Sequence, residues 1–205
     1  MKPLFWVGYW LTRFVFGVFF RLKCTGREHI PKSGPFLLCS NHISYFDPPI
    51  VGSWSPREVY FFAKAELFKV PMLGWIIRQT NAIPVKRGTI DRGALDAAVE
   101  ILKAGYGLTV FPEGTRSKDG APIPVKPGIG LLAMRYPVPI VPCYLHGANR
   151  LKDVFWGRER LYLRYGEPIS ADWIASQPEG REGIEAIATE VEKRIAALRE
   201  ASLAK

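Results

Sequence analysis

The spacing of apolar residues changes several times along the chain, and each change marks an element. Pro3 to Phe20 is crowded with Leu4, Phe5, Trp6, Val7, Tyr9, Trp10, Leu11, Phe14, Val15, Phe16, Val18, Phe19 and Phe20, and the pattern predicts a helix. Short apolar runs then alternate with helical patterns. Pro35–Ser40, Val59–Ala63, Ala82–Val85, Leu108–Phe111, Pro139–Tyr144 and Arg160–Tyr165 read as strands, several of them buried on both faces. Pro48–Trp54, Lys69–Gln79, Asp91–Ala104 and Gly128–Arg135 read as helices. The stretch from Asp91 is the clearest, with Leu95, Ala98, Val99 and Leu102 at helical spacing and Gly105 as its stop. Glu182–Leu203 reads as a terminal helix, with Ile184, Ile187, Val191, Ile195 and Leu198 along one face. Strands alternating with helices predict an α/β fold: a single domain over residues 22–205, its largely parallel central sheet flanked by helices.

Residues 1–21 form a separate N-terminal segment. A secretory signal is disfavoured because no small-residue cleavage site follows the apolar run. A spanning helix would be a little short at about 1.5 Å per residue against a roughly 30 Å hydrocarbon core, and Arg13 near its middle would be costly there. A helix lying in the membrane interface would set Trp6, Tyr9 and Trp10 among headgroups, with Arg13 snorkelling to phosphates. An ordinary buried helix would need a large partner surface for so many aromatics. The expectation is an apolar helical membrane anchor, its geometry open between spanning and interfacial.

Charge adds to this picture. The 205 residues carry 28 Lys and Arg against 19 Asp and Glu, a formal net charge of +9. Such a surplus calls for an acidic partner: nucleic acid, anionic lipid or a phosphorylated substrate. The cations do not gather into one basic run with interleaved aromatics, which argues against nucleic acid. Cys24, Cys39 and Cys143 are far apart and make no zinc or disulfide pattern; inert core thiols on the cytosolic side of a membrane fit best.

Four segments carry candidate chemistry. Asn41-His42-Ile43-Ser44-Tyr45-Phe46-Asp47 follows a buried strand, at the strand end where active sites of α/β sheets gather. A tight turn brings the Asp47 carboxylate back to His42, fixing its tautomer and leaving the other ring nitrogen to take a proton from a hydroxyl. Taken alone, the pair reads better as a histidine hydrogen-bonded at a strand end, with Asp47 capping the next helix. Phe111-Pro112-Glu113-Gly114-Thr115-Arg116-Ser117 also follows a strand. Gly114 permits close backbone approach, Thr115 and Ser117 offer hydroxyls, and Arg116 offers a fork for phosphate. Glu113 either binds a substrate hydroxyl or holds Arg116. Ala82–Gly88 leads an apolar strand into Lys86 and Arg87, with Arg87 the better phosphate ligand. Val138–Pro142 brackets an apolar run with prolines, which shapes an edge or bend. Lys126, before Pro127-Gly128, is an isolated cation at a glycine turn.

Together these segments resemble the lysophospholipid acyltransferase family, especially its bacterial 1-acyl-glycerol-3-phosphate acyltransferases. The family's N-H-x-x-x-x-D motif corresponds to Asn41-His42 through Asp47, its F-P-E-G-T-R-S motif to Phe111–Ser117, its strand ending in arginine to Ala82–Arg87, and its proline-bracketed strand to Val138–Pro142, in the same order over roughly residues 22–170. The resemblance implies that His42, oriented by Asp47, deprotonates the free hydroxyl of a lysophospholipid. That oxygen then attacks an acyl thioester, acyl-CoA or acyl-ACP, with no acyl-enzyme. It implies that Arg87, Arg116 and Lys126 hold the acceptor phosphate, that Glu113, Gly114 and Thr115 complete the acceptor site, and that neither metal nor prosthetic group is needed. It also implies an N-terminal helical anchor and a place on the cytoplasmic face of the cell inner membrane. Two rival readings stay open: an acyltransferase for another lysolipid, an ornithine lipid or glycerol-3-phosphate, and a non-catalytic basic module that binds membrane surfaces.

Overall fold

The computed structural model describes residues 3–86 and 91–203. Helix α1 (Pro3–Phe14) runs into a π turn over Val15–Phe19. Seven strands follow: β1 (Lys23–Thr25), β2 (Phe36–Ser40), β3 (Val59–Lys64), β4 (Ala82–Val85), β5 (Gly107–Val110), β6 (Ile140–His146) and β7 (Tyr162–Tyr165). Between and after them lie α2 (Asp47–Trp54), α3 (Pro71–Arg78), α4 (Arg92–Lys103), α5 (Gly128–Arg135), α6 (Leu151–Phe155), α7 (Ala171–Ala175) and α8 (Arg181–Leu203). The sheet order is β1-β7-β6-β2-β5-β3-β4. β6, β2, β5, β3 and β4 are mutually parallel, β7 is antiparallel to β6, and β1 is parallel to β7. The expected α/β domain is therefore present, with two oppositely directed strands at one edge.

The apolar run Phe36–Cys39 is fully buried because β2 lies at the centre with a helical layer on each face. On one face Phe36 and Leu38 pack with Ile50, Val51 and Trp54 of α2 and with Phe16. On the other, Leu37 and Cys39 pack with α4, α5 and α8 through Ala98, Leu102, Leu132, Ile187 and Val191. Gly130 lets α5 seat against α8, where a Cβ would stand 2.1 Å from the Ile184 carbonyl oxygen. Burial pushes the Cys24 thiol up to about 12 and raises the fully buried Cys39 and Cys143 well above the ordinary thiol value, so all three stay protonated and inert, as the sequence suggests.

The chain leaves β2 through α2 on one face and β5 through α5 on the other, so a crevice opens beyond the carboxyl ends of these adjacent strands. Sequence patterns missed β1, α6 and α7, which are only three, five and five residues long and too short to show a period. Asp91 caps α4 instead of starting it, accepting the Ala94 N–H at 3.1 Å and the Lys86 N–H at 2.8 Å.

No described helix is long and apolar enough to cross a membrane. α1 instead lays one side along α2. Tyr9 donates to the Ser55 carbonyl at 3.4 Å, and Arg13 donates to the Ser53 carbonyl at 3.2 Å with its guanidinium over the Trp54 ring. Arg13 therefore turns its guanidinium inward onto a carbonyl and aromatic rings and does not reach outward to phosphates. The other side of α1 and the π turn leaves Val7, Trp10, Leu11, Phe14, Val18 and Phe19 exposed.

Candidate active site

The loop after β2 is built around one carboxylate oxygen. Asp47 is fully buried, and its Oδ2 accepts the Ile43 N–H at 2.6 Å, the Ser44 N–H at 2.7 Å and His42 Nδ1 at 2.7 Å. Phe46 N–H bonds back to Ser44 Oγ at 3.2 Å, closing the turn. Asp47 Oδ1 is buried with no hydrogen-bond partner among the described residues. Three donors converging on Oδ2 from neighbouring residues lock both the carboxylate and the ring it holds. With Nδ1–H pointing at Asp47, the other ring nitrogen of His42, Nε2, keeps its lone pair.

Asn41 anchors this loop to the sheet, a role the sequence does not single out. Its side chain donates to the Leu145 carbonyl at 2.9 Å and accepts the Leu145 N–H at 2.8 Å. It thereby imitates a strand residue and pins the loop to the end of β6. The only signal in the sequence is an Asn at a strand end, a residue that commonly bonds backbone.

The second motif packs on the first. The Phe111 ring stacks on the His42 ring, centroids 4.3 Å apart, and Ser117 N–H donates to the His42 carbonyl at 2.8 Å. Glu113 Oε2 accepts the His42 backbone N–H at 3.4 Å, and its side chain is buried. Burial pushes the Glu113 carboxyl up to about 7; the His42 N–H works against this and the Asp47 charge adds to it. Glu113 thus stands close to half-protonated near neutral pH, beside a fixed histidine.

The candidate binding residues divide along this loop. Gly114 turns with φ 69°, and the Lys126 side chain lies across it, with Nζ 3.1 Å from where a Cβ would stand. Lys126 is held there by its N–H bond to the Pro112 carbonyl at 2.9 Å. The isolated cation of the sequence is therefore a neighbour of the second motif. Thr115 is exposed. Ser117 Oγ donates to Asp119 Oδ1 at 2.9 Å, so that hydroxyl is committed to the loop. Arg116 makes no ion pair with Glu113 among the described residues; its guanidinium lies 3.4 Å from the Tyr45 ring centroid. Arg116 and Lys118 line a cleft of about 360 Å³ with Tyr45, Phe46 and Asn149. Arg87 lies outside the described residues; Lys86 before it is exposed at the end of β4.

The arrangement can accept a proton from a hydroxyl at His42, stabilise the resulting imidazolium with the Asp47 carboxylate, and meet an anionic group with nearby cations. The acyltransferase family model matches residues 21–146. A 1-acyl-sn-glycerol-3-phosphate acyltransferase of Bacillus subtilis is 26% identical over 175 residues, covering 85% of this chain and 86% of that protein. A chloroplast 1-acyl-sn-glycerol-3-phosphate acyltransferase of Brassica napus is 34% identical over 139 residues. That match covers 65% of this chain, which spans only 39% of the plant protein's length. The crystal structure of the 1-acyl-sn-glycerophosphate acyltransferase of Thermotoga maritima superposes with a TM-score of 0.70 at 27% identity, over 97% of this chain and 79% of that one.

Proposed function

The chain belongs to the acyltransferase family, and from that premise we propose that it transfers a fatty acyl group from an acyl thioester to the free hydroxyl of 1-acyl-glycerol-3-phosphate, giving phosphatidic acid for phospholipid synthesis. The observation that carries the reading is the His42–Asp47 pair, 2.7 Å apart and buried, bound directly to the Phe111–Ser117 loop. A non-catalytic membrane module has no use for a carboxylate-oriented imidazole packed against a phosphate-binding type of loop.

In this reaction His42 Nε2 takes the hydroxyl proton as the oxygen attacks the thioester carbonyl, and Asp47 offsets the charge the ring acquires. The thiolate leaves and takes the proton back from His42, so no acyl-enzyme forms. Lys126, Arg116 and Arg87 hold the acceptor phosphate. Glu113, with Gly114 and Thr115, takes the glycerol end, where a half-protonated carboxyl can donate to or accept from a hydroxyl. The donor is acyl-CoA or acyl-ACP.

The exposed apolar side of α1 seats the protein on the cytoplasmic face of the inner membrane. An interfacial seat suits the helix better than a span, since no described helix is long and apolar enough to cross a membrane and Arg13 is hydrogen-bonded inside the fold. The test is purified protein given a panel of lysophospholipids, glycerol-3-phosphate and both donor types, with products identified by mass. Phosphatidic acid from the parent, and none from His42→Ala of unchanged fold, is the expected result; normal turnover in that variant would overturn the mechanism. Deletion of residues 1–21 should weaken binding to membranes; unchanged tight association would refute the α1 seat.

A further inference from the structure

Helix α3 is amphipathic the wrong way round for a water-facing element. Gly74 faces inward, so close to the preceding turn that a Cβ would stand 2.4 Å from the Phe68 carbonyl oxygen. The outward face carries Met72, Trp75 and Ile76 at helical spacing, with Met72 76% and Trp75 57% exposed. Val70 and Leu73 widen the same apolar surface. Lys64, Lys69 and Arg78 ring it, all exposed, against the single carboxylate of Glu66, which pairs with Lys64 at 3.5 Å. Arg78 donates to the Phe68 carbonyl at 3.0 Å and so lies along the turn below.

This surface leaves the sheet at the carboxyl end of β3, which is parallel to β5, so it starts from the edge where His42 and the Phe111–Ser117 loop lie. Exposed Tyr45 and Phe46 belong to the same edge, and Phe46 rests on Phe16 of the π turn with ring centroids 5.6 Å apart. Apolar side chains bordered by cations, with a tryptophan among them, are the composition of a helix seated at a lipid headgroup boundary. A second copy of this chain is a poorer occupant, since a two-fold contact would bring two sets of Lys64, Lys69 and Arg78 together.

We infer that α3 is a second lipid-contacting element, its Met72–Trp75–Ile76 face entering the headgroup boundary of an anionic bilayer, independently of α1. This rests on the reading of the acceptor as a membrane lipid. It gives the catalytic edge a second point of support beside α1, and so aims the crevice at the surface from which the acceptor must come.

The experiment places an environment-sensitive nitrobenzoxadiazole label on Met72→Cys in the full chain carrying Cys24→Ala, with Glu100→Cys on α4 as the control. Vesicles of phosphatidylcholine with phosphatidylglycerol should brighten the label at position 72 at least about threefold with a blue shift, and leave position 100 unchanged. No response at 72 overturns the inference, whether or not the protein sediments with the vesicles. A response that grows with protein concentration in the absence of lipid assigns the face to a second copy and also overturns it. Met72→Ser with Ile76→Ser should lower turnover of vesicle-borne acceptor about tenfold and leave a monomeric short-chain acceptor unaffected. If the parent acylates neither acceptor, the acceptor reading fails, while the label response still decides whether α3 meets lipid.

Discussion

Replacing Asp47 by asparagine isolates the charge of the dyad from its architecture. The asparagine oxygen can occupy the place of Oδ2 and still accept the Ile43 and Ser44 N–H groups and His42 Nδ1, which approach at 2.6, 2.7 and 2.7 Å. The fold and the tautomer then survive, and what is lost is the negative charge facing the imidazolium that forms during reaction. Two unit charges about 4 Å apart at an effective dielectric of about 20 attract by about 4 kcal/mol. Because this attraction arises only once the ring is charged, it lowers the barrier and not substrate binding. Asp47→Asn should therefore reduce kcat about 10³-fold with KM nearly constant. Thermal unfolding should move by only a few degrees. Asp47→Ala should lose a similar amount of activity and also destabilise the protein by at least about 3 kcal/mol, since three donors lose their acceptor inside the core. Steady-state kinetics alongside urea unfolding separates the two variants. If Asp47→Asn keeps turnover within tenfold of the parent, the charge has no role in the barrier and the mechanism must be redrawn. If Asp47→Ala is as stable as Asp47→Asn, the carboxylate does not organise the loop.

Three further outcomes test the surroundings of the dyad. Glu113 is held near 7 in the fold against an ordinary value of 4.5, so the folded state binds more protons than the unfolded chain between these values. Its contribution to stability is therefore complete below about pH 4.5 and is lost as pH rises through about 7, on the order of 1–3 kcal/mol. Urea midpoints should fall less from pH 5 to pH 8 in Glu113→Gln than in the parent; equal slopes would show that the buried carboxyl is not the source. Asn41→Ala leaves the Leu145 N–H and carbonyl without their loop partner and should cost about 2–4 kcal/mol by chemical denaturation; a change below about 0.5 kcal/mol would refute the latch. Lys126→Gln should raise KM about tenfold for a phosphate-bearing acceptor and leave KM for the thioester donor unchanged, the size expected when one charge-assisted contact becomes neutral; an equal rise for both substrates would count against a phosphate role.

Local pattern made much of this protein legible. Buried strands announce themselves as short apolar runs, and Phe36–Ser40, Ala82–Val85 and Gly107–Val110 lie within one or two residues of where that pattern puts them. The His42–Asp47 pairing was legible for the same reason, since a five-residue turn closes locally and needs nothing from the rest of the chain. Chemistry-bearing side chains in a short strand-end loop are visible because sequence neighbours are there also space neighbours.

Long-range placement was decided only in three dimensions. Asn41 finds its partner at Leu145, 104 residues away, and Lys126 reaches Gly114 because the loop folds back onto Pro112. Neither spacing carries a period that a sequence can display. The sequence establishes that an apolar helix precedes the domain and that Arg13 interrupts it, but a side chain of that length can turn either way. Its direction was set by the carbonyl of Ser53 and the ring of Trp54, both brought to it by the packing of α1 on α2. The elevated carboxyl of Glu113 is likewise a property of the site, because desolvation depends on what closes over a group and composition has no record of that. By itself the sequence determined the longer elements, the spacing of the dyad and the family resemblance, while β1, α6 and α7 were too short to show. The tertiary structure decided which charges face the crevice and which apolar faces are left without cover, since both depend on contacts between residues far apart in the chain.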